Sequence, residues 1–304
     1  MSGQQPYRAS PVHPALAPFV TSLVAYDVAM GPPGVHRGLP STSLTLVLPV
    51  DEPLDVSWAA DGSSRTRRWS VVSGLHAAPA AIHHDGHQSG VQLALTPAGA
   101  RALLGMPAAA LGAALLQLDE LDPPGAPDHQ LRHLPEQLHD TADWAARLRL
   151  VQDALVAALA RRPAARPRSE VAEALPRLAR GQSVAAVAAE VGWSRRHLTT
   201  QVGAELGLSP KAYQRVARFQ TAHRRLHALA RTGRPSLAAV AADTGYADQA
   251  HLTREWVELG GCTPARWLRE EFPFVQDSPL AGDDDGTDGT DPPRRAPATE
   301  GHGR

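Results

Sequence analysis

The sequence predicts an α+β protein: a β-rich barrel or sandwich followed by helices, then an all-α segment holding two helix-turn-helix motifs. Three observations predict it. Short runs rich in β-branched and aromatic residues, bounded by Gly, Pro, Asp or Ser, fill the chain as far as Leu95. After Thr96-Pro97 the apolar residues recur at helical rather than strand spacing. Between Ser183 and Leu268 one helical pattern is written twice.

Taken in order, Phe19–Val28 reads as a strand, Gly31-Pro32-Pro33-Gly34 as a turn, and Ser43–Val50, Leu54–Trp58, Arg68–His76 and Gly90–Leu95 as further strands. Thr96 is an N-cap candidate with Pro97 at the first helical position, opening a short helix that Gly105 ends. Pro107–Leu118, Gln130–His139 and Asp143–Arg162 read as helices, with a Pro-rich loop at Asp122–Pro127. In the last of these helices Trp144, Leu148, Val151, Leu155 and Leu159 form an apolar stripe, which can cover the β-rich part or the same helix of a second subunit. Two prolines interrupt helix between Pro163 and Arg168, and the stretch reads as a linker. The expected organisation is therefore a sensing or oligomerisation domain at 1–162, a linker at 163–168, a helical domain at 169–274 that folds by itself, and an acidic, disordered tail at 275–304.

Each repeat opens on a serine, Ser183 or Ser236, placed to cap the first helix. Val184, Val187, Ala188 and Val191 follow at i, i+3, i+4, i+7, as do Leu237, Val240, Ala241 and Thr244. Gly192 and Gly245 stand where a tight turn needs positive φ. Ser194 and Ala247 open the second helices, whose Leu198, Val202 and Leu206, and Leu252, Trp256 and Leu259, point inward. The glycines lie 53 residues apart, but His197 and His251 lie 54 apart, so one residue is inserted just after the second turn. The outer residues are polar: Arg195, Arg196, Thr199 and Thr200 in the first copy, and Asp248, Gln249, Thr253 and Arg254 in the second. Such side chains near a helix N-terminus can read base edges in a major groove.

Charge distribution agrees. The whole chain has a net charge of −1, but residues 166–271 carry 16 basic and 10 acidic side chains, a net of +6, whereas 275–304 carry a net of −4. The positive charge lies on the repeat, where phosphates would need it. A single cysteine, Cys262, rules out an intramolecular disulfide and fits a reducing compartment. The N-terminus has no signal-peptide pattern and no apolar run approaches a membrane span, so a cytoplasmic protein is expected.

From Ser183 to Glu271 the chain resembles the DNA-binding domain of the AraC/XylS family of transcriptional regulators. The second copy carries the more specific signature, Gly245-Tyr246-Ala247-Asp248-Gln249-Ala250-His251-Leu252-Thr253-Arg254 and then Gly261-Cys262-Thr263-Pro264-Ala265-Arg266-Trp267. The resemblance implies base-facing roles for Arg196, Thr199 and Thr200, and for Gln249, Ala250, Thr253 and Arg254. Where the family has an aromatic-Lys pair late in each recognition helix, this chain has Val202-Gly203 and Trp256-Val257, so the lysine phosphate contact is missing.

The expected function is a sequence-specific, DNA-binding transcriptional regulator that reads two successive major-groove segments and is modulated through its N-terminal part by a small-molecule effector or by dimerisation. Candidate partners are double-stranded operator or promoter DNA, RNA polymerase, an effector and a second copy of the chain. No cofactor, metal or catalytic residue is expected. Two other classes compete. One is a barrel-type metal-dependent enzyme with an appended helical DNA- or protein-binding module, for which His36, His76, His83, His84 and His87 are the ligands to weigh. They lack an accompanying acidic ligand, and Asp85-Gly86 reads as a turn that would leave His83, His84 and His87 in a loop. The other is a helical interaction protein that binds no DNA.

Overall fold

The computed structural model describes residues 7–112, 114–121, 130–161, 168–233 and 235–271. The loop at Asp122–Pro127, the expected linker apart from Arg168, and the expected tail lie outside these residues. Among the described residues ten strands form two antiparallel sheets: β1 (Tyr7–Ala9), β2 (Val20–Ala29), β3 (Gly34–Gly38), β4 (Leu44–Pro49), β5 (Leu54–Trp58), β6 (Asp61–Arg68), β7 (Val71–Ser73), β8 (Ala80–His84), β9 (His87–Leu95) and β10 (Leu115–Leu116). The larger sheet has the order β1-β2-β9-β4-β7-β10 and the smaller β3-β8-β5-β6. Both keep free edges, so the β-rich part is an open sandwich and not a closed barrel.

The larger sheet is the middle of three layers. In β4, Leu44, Leu46 and Leu48 are fully buried beneath helices, while Val47 faces the smaller sheet and packs with Leu54, Val56, Val71 and Ala80. That double burial explains the near-continuous apolar run of β4. Helix α1 (Pro97–Gly99) is capped by Thr96, whose Oγ1 accepts from the Gly99 amide at 2.9 Å. It runs into a π-helical turn at Ala100–Leu104 that ends at Gly105 with φ 78°. Next come α2 (Ala108–Leu111), α3 (Leu134–His139) and α4 (Trp144–Arg161). Val151 and Leu155 of α4 are buried within this chain, which accounts for its apolar stripe without a second subunit.

Three expectations need correction. The helix expected at Pro107–Leu118 stops after one turn. Gly112 takes φ 52°, and a Cβ on Gly74 would fall 2.4 Å from its carbonyl oxygen, so the backbones meet there. Beyond it β10 pairs with β7, with Leu115 opposite Ser73. The strand expected at Arg68–His76 shortens to β7, because Arg68 closes β6. His83 and His84 end β8 and His87 begins β9, so they are not loop residues; the Asp85-Gly86 turn carries the chain from one sheet to the other. Strands β1, β3, β6 and β8 have no place among the expected elements. β6 reads Asp-Gly-Ser-Ser-Arg-Thr-Arg-Arg, a charged edge with no apolar face to betray it.

The helical half comprises α5 (Ser169–Ala179), α6 (Val184–Glu190), α7 (Arg195–Leu206), α8 (Pro210–Thr232), α9 (Leu237–Asp243), α10 (Gln249–Gly260) and α11 (Pro264–Glu271). Phe219, Ala222, Leu226 and Ala230 of α8 form its buried stripe, as the spacing predicts. The first three of these helices share one continuous apolar core with the larger sheet and α4, through Val171, Leu178, Val187, Leu198, Val202 and Leu206. The second helix-turn-helix has its own core around Phe219, Leu252, Trp256 and Trp267. No helix among the described residues is long and apolar enough to cross a membrane.

Candidate nucleic-acid interface and an inter-sheet cavity

The two helix-turn-helix units are built alike. Ser183 and Ser236 accept from the amides of Ala186 and Ala239, as N-caps. Gly192 and Gly245 turn the chain with φ 73° and 80°, a conformation that costs a residue with a Cβ. Ser194 then caps α7 by accepting from the His197 amide at 3.1 Å. In the second unit the cap is Asp248 rather than Ala247, accepting from the His251 amide at 2.6 Å. The inserted residue is thus absorbed in the loop between Tyr246 and Asp248. Leu198, Val202 and Leu206 bury one face of α7, and Leu252, Trp256 and Leu259 bury one face of α10.

The opposite faces hold the residues expected to meet DNA. Arg195, Arg196, Thr199, Thr200, Ala250 and Arg254 are exposed, while Gln249 and Thr253 are half-buried. The Thr199 and Thr200 hydroxyls donate to the Arg195 and Arg196 carbonyls at 2.9 and 3.1 Å, which fixes their rotamers and leaves each oxygen able to accept. Arg195, Arg196 and Arg254 enter no ion pair among the described residues.

Other cations of this half face acids. Arg215 Nε lies 3.0 Å and Arg218 Nη2 2.7 Å from Glu255 of α10, and Arg215 also pairs with Glu258. Arg225 pairs with Asp243 of α9 at 2.9 Å. Burial alone would raise the Glu255 carboxyl; Arg218 and Arg215 outweigh it and hold it below its ordinary value. These pairs fasten both helices of the second unit to α8 and cancel acids near the outer face. Nothing in the spacing of Arg215 and Arg218 points to this glutamate, some forty residues away.

The N-terminal half reaches both units. Arg101 donates from Nε and Nη2 to Glu205 of α7 at 2.8 and 2.6 Å; Glu205 is 4% exposed. Thr42 Oγ1 donates to Gln220 of α8 at 2.8 Å, and Arg37 pairs with Glu270 of α11.

A cavity of about 280 Å³ lies between the two sheets, lined by Val47, Leu54, Trp58 and Ile82 with His36 and, from α8, His223. A smaller one of about 130 Å³ shares His36 and adds Tyr26, Val28 and Gln92. His36 Nδ1 has no hydrogen-bond partner among the described residues. Burial, reinforced by His84, lowers the His36 pKa to about 4; burial, reinforced by His227 and Arg224, does the same to His223. On its other side His223 meets Trp267 edge-on, ring centroids 4.6 Å apart, and Trp256 lies 6.1 Å away. The cavity wall is thus continuous with the core that seats α10. His76 also lines the larger cavity, its Nδ1 donating to the Ala78 carbonyl, while His87 pairs with Asp27 at 2.7 Å. Among the described residues no three His, Cys, Asp or Glu side chains are grouped as a metal would need.

Residues 187–270 match the family model described as helix-turn-helix domain. No curated protein sequence matches the chain. Among solved structures, ToxT from Vibrio cholerae bound to an unsaturated fatty acid is similar over 82% of this chain and 96% of its own, at 10% identity and a TM-score of 0.48. The DNA-binding domain of AdpA, a global transcriptional factor solved with a target DNA, is 27% identical over 35% of this chain and 96% of its own, with a TM-score of 0.29. The AraC-like transcriptional activator CuxR is 16% identical over 73% of this chain and 85% of its own, with a TM-score of 0.24. None of these scores reaches 0.5, so the weight falls on the family match and the geometry.

Proposed function

We propose, from the premise that residues 187–270 form an AraC-type helix-turn-helix domain, that the protein is a sequence-specific, DNA-binding transcriptional regulator. The observation that carries the reading is the pair of recognition helices, each capped at its N-terminus and each presenting, on the face away from the core, arginine that enters no ion pair among the described residues beside threonine. Arginine offers two donors to guanine O6 and N7, and threonine offers a hydroxyl and a methyl. Arg195, Arg196, Thr199 and Thr200 would read one segment, and Gln249, Ala250, Thr253 and Arg254 the next. Helix α8 joins the two units and sets their separation.

An effector is the second part of the proposal. The inter-sheet cavity is mostly apolar, and burial lowers the pKa of the three histidines on its wall, His36, His76 and, from α8, His223. A small molecule there would touch the sandwich and the aromatic core beneath α10 at once. ToxT was solved with a fatty acid bound. RNA polymerase and a second copy of the chain are the further partners the reading admits, and the cytoplasm is where it would act. It contains no catalytic step.

Quantitative duplex binding over a range of salt is the test. The net charge of +6 on residues 166–271 should make log K fall steeply with log salt, by about 0.9 for each phosphate neutralised. A flat plot, or no preference for any duplex selected from random sequence over bulk DNA, would count against the reading.

A further inference from the structure

Leu252, Glu255, Trp256 and Leu259 turn α10 inward. Its opposite side carries Ala250, Thr253, Arg254 and Val257. Val257 lies seven residues beyond Ala250, which on an α-helix brings it back to within about 20° of the same direction. It is 44% exposed. Among the described residues the exposed large hydrophobics are Val35, Trp69 and Val257, and only Val257 belongs to the helical half. Spacing at i, i+3, i+4, i+7 is how a helix lying in a major groove turns four side chains toward base edges.

Valine has no donor to offer a phosphate, so only an apolar group can meet it. Glu258 beside it is turned toward Arg215. The major groove presents one apolar group on its base edges, the 5-methyl of thymine.

We propose that Val257 is a specificity-determining residue that packs against a thymine 5-methyl in the segment occupied by α10. The inference rests on the DNA-binding reading above. It makes the two recognition helices unequal. The matching position in α7 is Gly203, where a Cβ would meet nothing within 4 Å, so the first segment has no such contact.

The experiment uses the full chain and duplexes enriched for it from random sequence. Each thymine of the bound site is replaced in turn by deoxyuridine, which removes only the methyl. One buried methyl corresponds to about 0.8 kcal/mol, or roughly three- to fivefold in affinity. Wild type should lose that factor at one thymine in the α10 segment. Val257→Ala should bind the thymine and uracil forms of that site alike, with its thermal midpoint unchanged because the side chain is exposed. Val257→Lys should show the same indifference together with a steeper salt dependence. A wild-type protein indifferent to uracil throughout the α10 segment would overturn the proposal. So would a uracil penalty that persists in Val257→Ala. In either case enrichment of a specific duplex leaves the DNA-binding reading standing; enrichment of none removes that reading and this inference with it.

Discussion

Arg254 is a side chain whose sequence neighbours offered it two acids, Asp248 and Glu258, and which takes neither. Asp248 spends its carboxylate on the His251 amide, and Glu258 pairs with Arg215 across to α8. Arg254 is left on the outer face, as Arg196 is on α7. Arg254→Ala and Arg196→Ala should leave the melting temperature within error of wild type. Each should weaken binding to a specific duplex by about 1–3 kcal/mol and relax preference at one base pair. Competition binding across single-base variants reads this directly; an even loss over all sequences would mean a phosphate contact instead. A second residue-scale expectation concerns pH. His36 and His223 are neutral in the folded state down to about pH 4, while in the unfolded chain each takes a proton near pH 6.5. The unfolded state therefore binds more protons between those values. Their contribution is fully present above about pH 6.5 and declines as pH falls toward 4, at up to about 1.4 kcal/mol per pH unit for each group. The urea midpoint should drop across this range, and His223→Phe, which keeps the ring against Trp267, should make the drop shallower. An unchanged pH profile in that variant would show that His223 is not the neutral group described.

Helices α7 and α10 occupy the same place in their units but are unequally made. Where α10 has Trp256 and Val257, α7 has Val202 and Gly203. Gly203 lies in mid-helix with ordinary φ, and a Cβ there meets nothing within 4 Å. Gly203→Ala should raise stability by about 0.5–1 kcal/mol, because glycine gives up more backbone freedom on entering a helix. Gly192→Ala is the contrasting case: it also has open space, but φ of 73° makes a Cβ costly, and stability should fall by about 1–2 kcal/mol. Thermal denaturation of the two variants should therefore move in opposite directions. This scale was the most legible in the sequence, since N-caps, turn glycines and apolar spacing are local properties. The strands were less so. β3 and β6 lie at edges of the smaller sheet, where little is buried on either face and no alternation is written.

At the scale of the molecule, Glu205 holds the two halves together. By the repeat it stands where α10 has Leu259, a core position, and it is nearly fully buried. Its counter-charge comes from Arg101, on the far side of the linker. Arg101→Met would strand that carboxylate. Because Arg101 keeps 29% side-chain exposure, the cost should be about 2–3 kcal/mol, at or below the low end of the range for fully buried pairs. Adding Glu205→Leu, the residue the second unit uses, should recover most of it. Urea denaturation of the two single variants and the double variant gives the coupling directly, and simple additivity would contradict a buried pair. A fragment beginning at the linker lacks both Arg101 and the N-terminal share of the core around Leu198 and Val202. The sequence reads that fragment as self-sufficient; in the folded chain its first unit shares its apolar core with the β-rich half.

The sequence by itself determined what is written in short-range periodicity: two helix-turn-helix units in phase, their caps, their inward leucines, and the polar faces of Arg195 to Thr200 and Gln249 to Arg254. Each of these depends on residues within about two helical turns of one another. The tertiary structure decided what depends on pairing across long separations. It chose an open sandwich over a closed barrel, cut the helix at Pro107 short because Gly112 meets Gly74, and gave Arg215 and Arg218 to Glu255 rather than to phosphate. It also brought His223 to a cavity whose other walls are strands far from it in the chain. A charge or a methyl carries no sign in the sequence of which distant surface will cover it. Burial, which fixes both the cost of leaving a group unpaired and the choice of its partner, is a property of the folded whole.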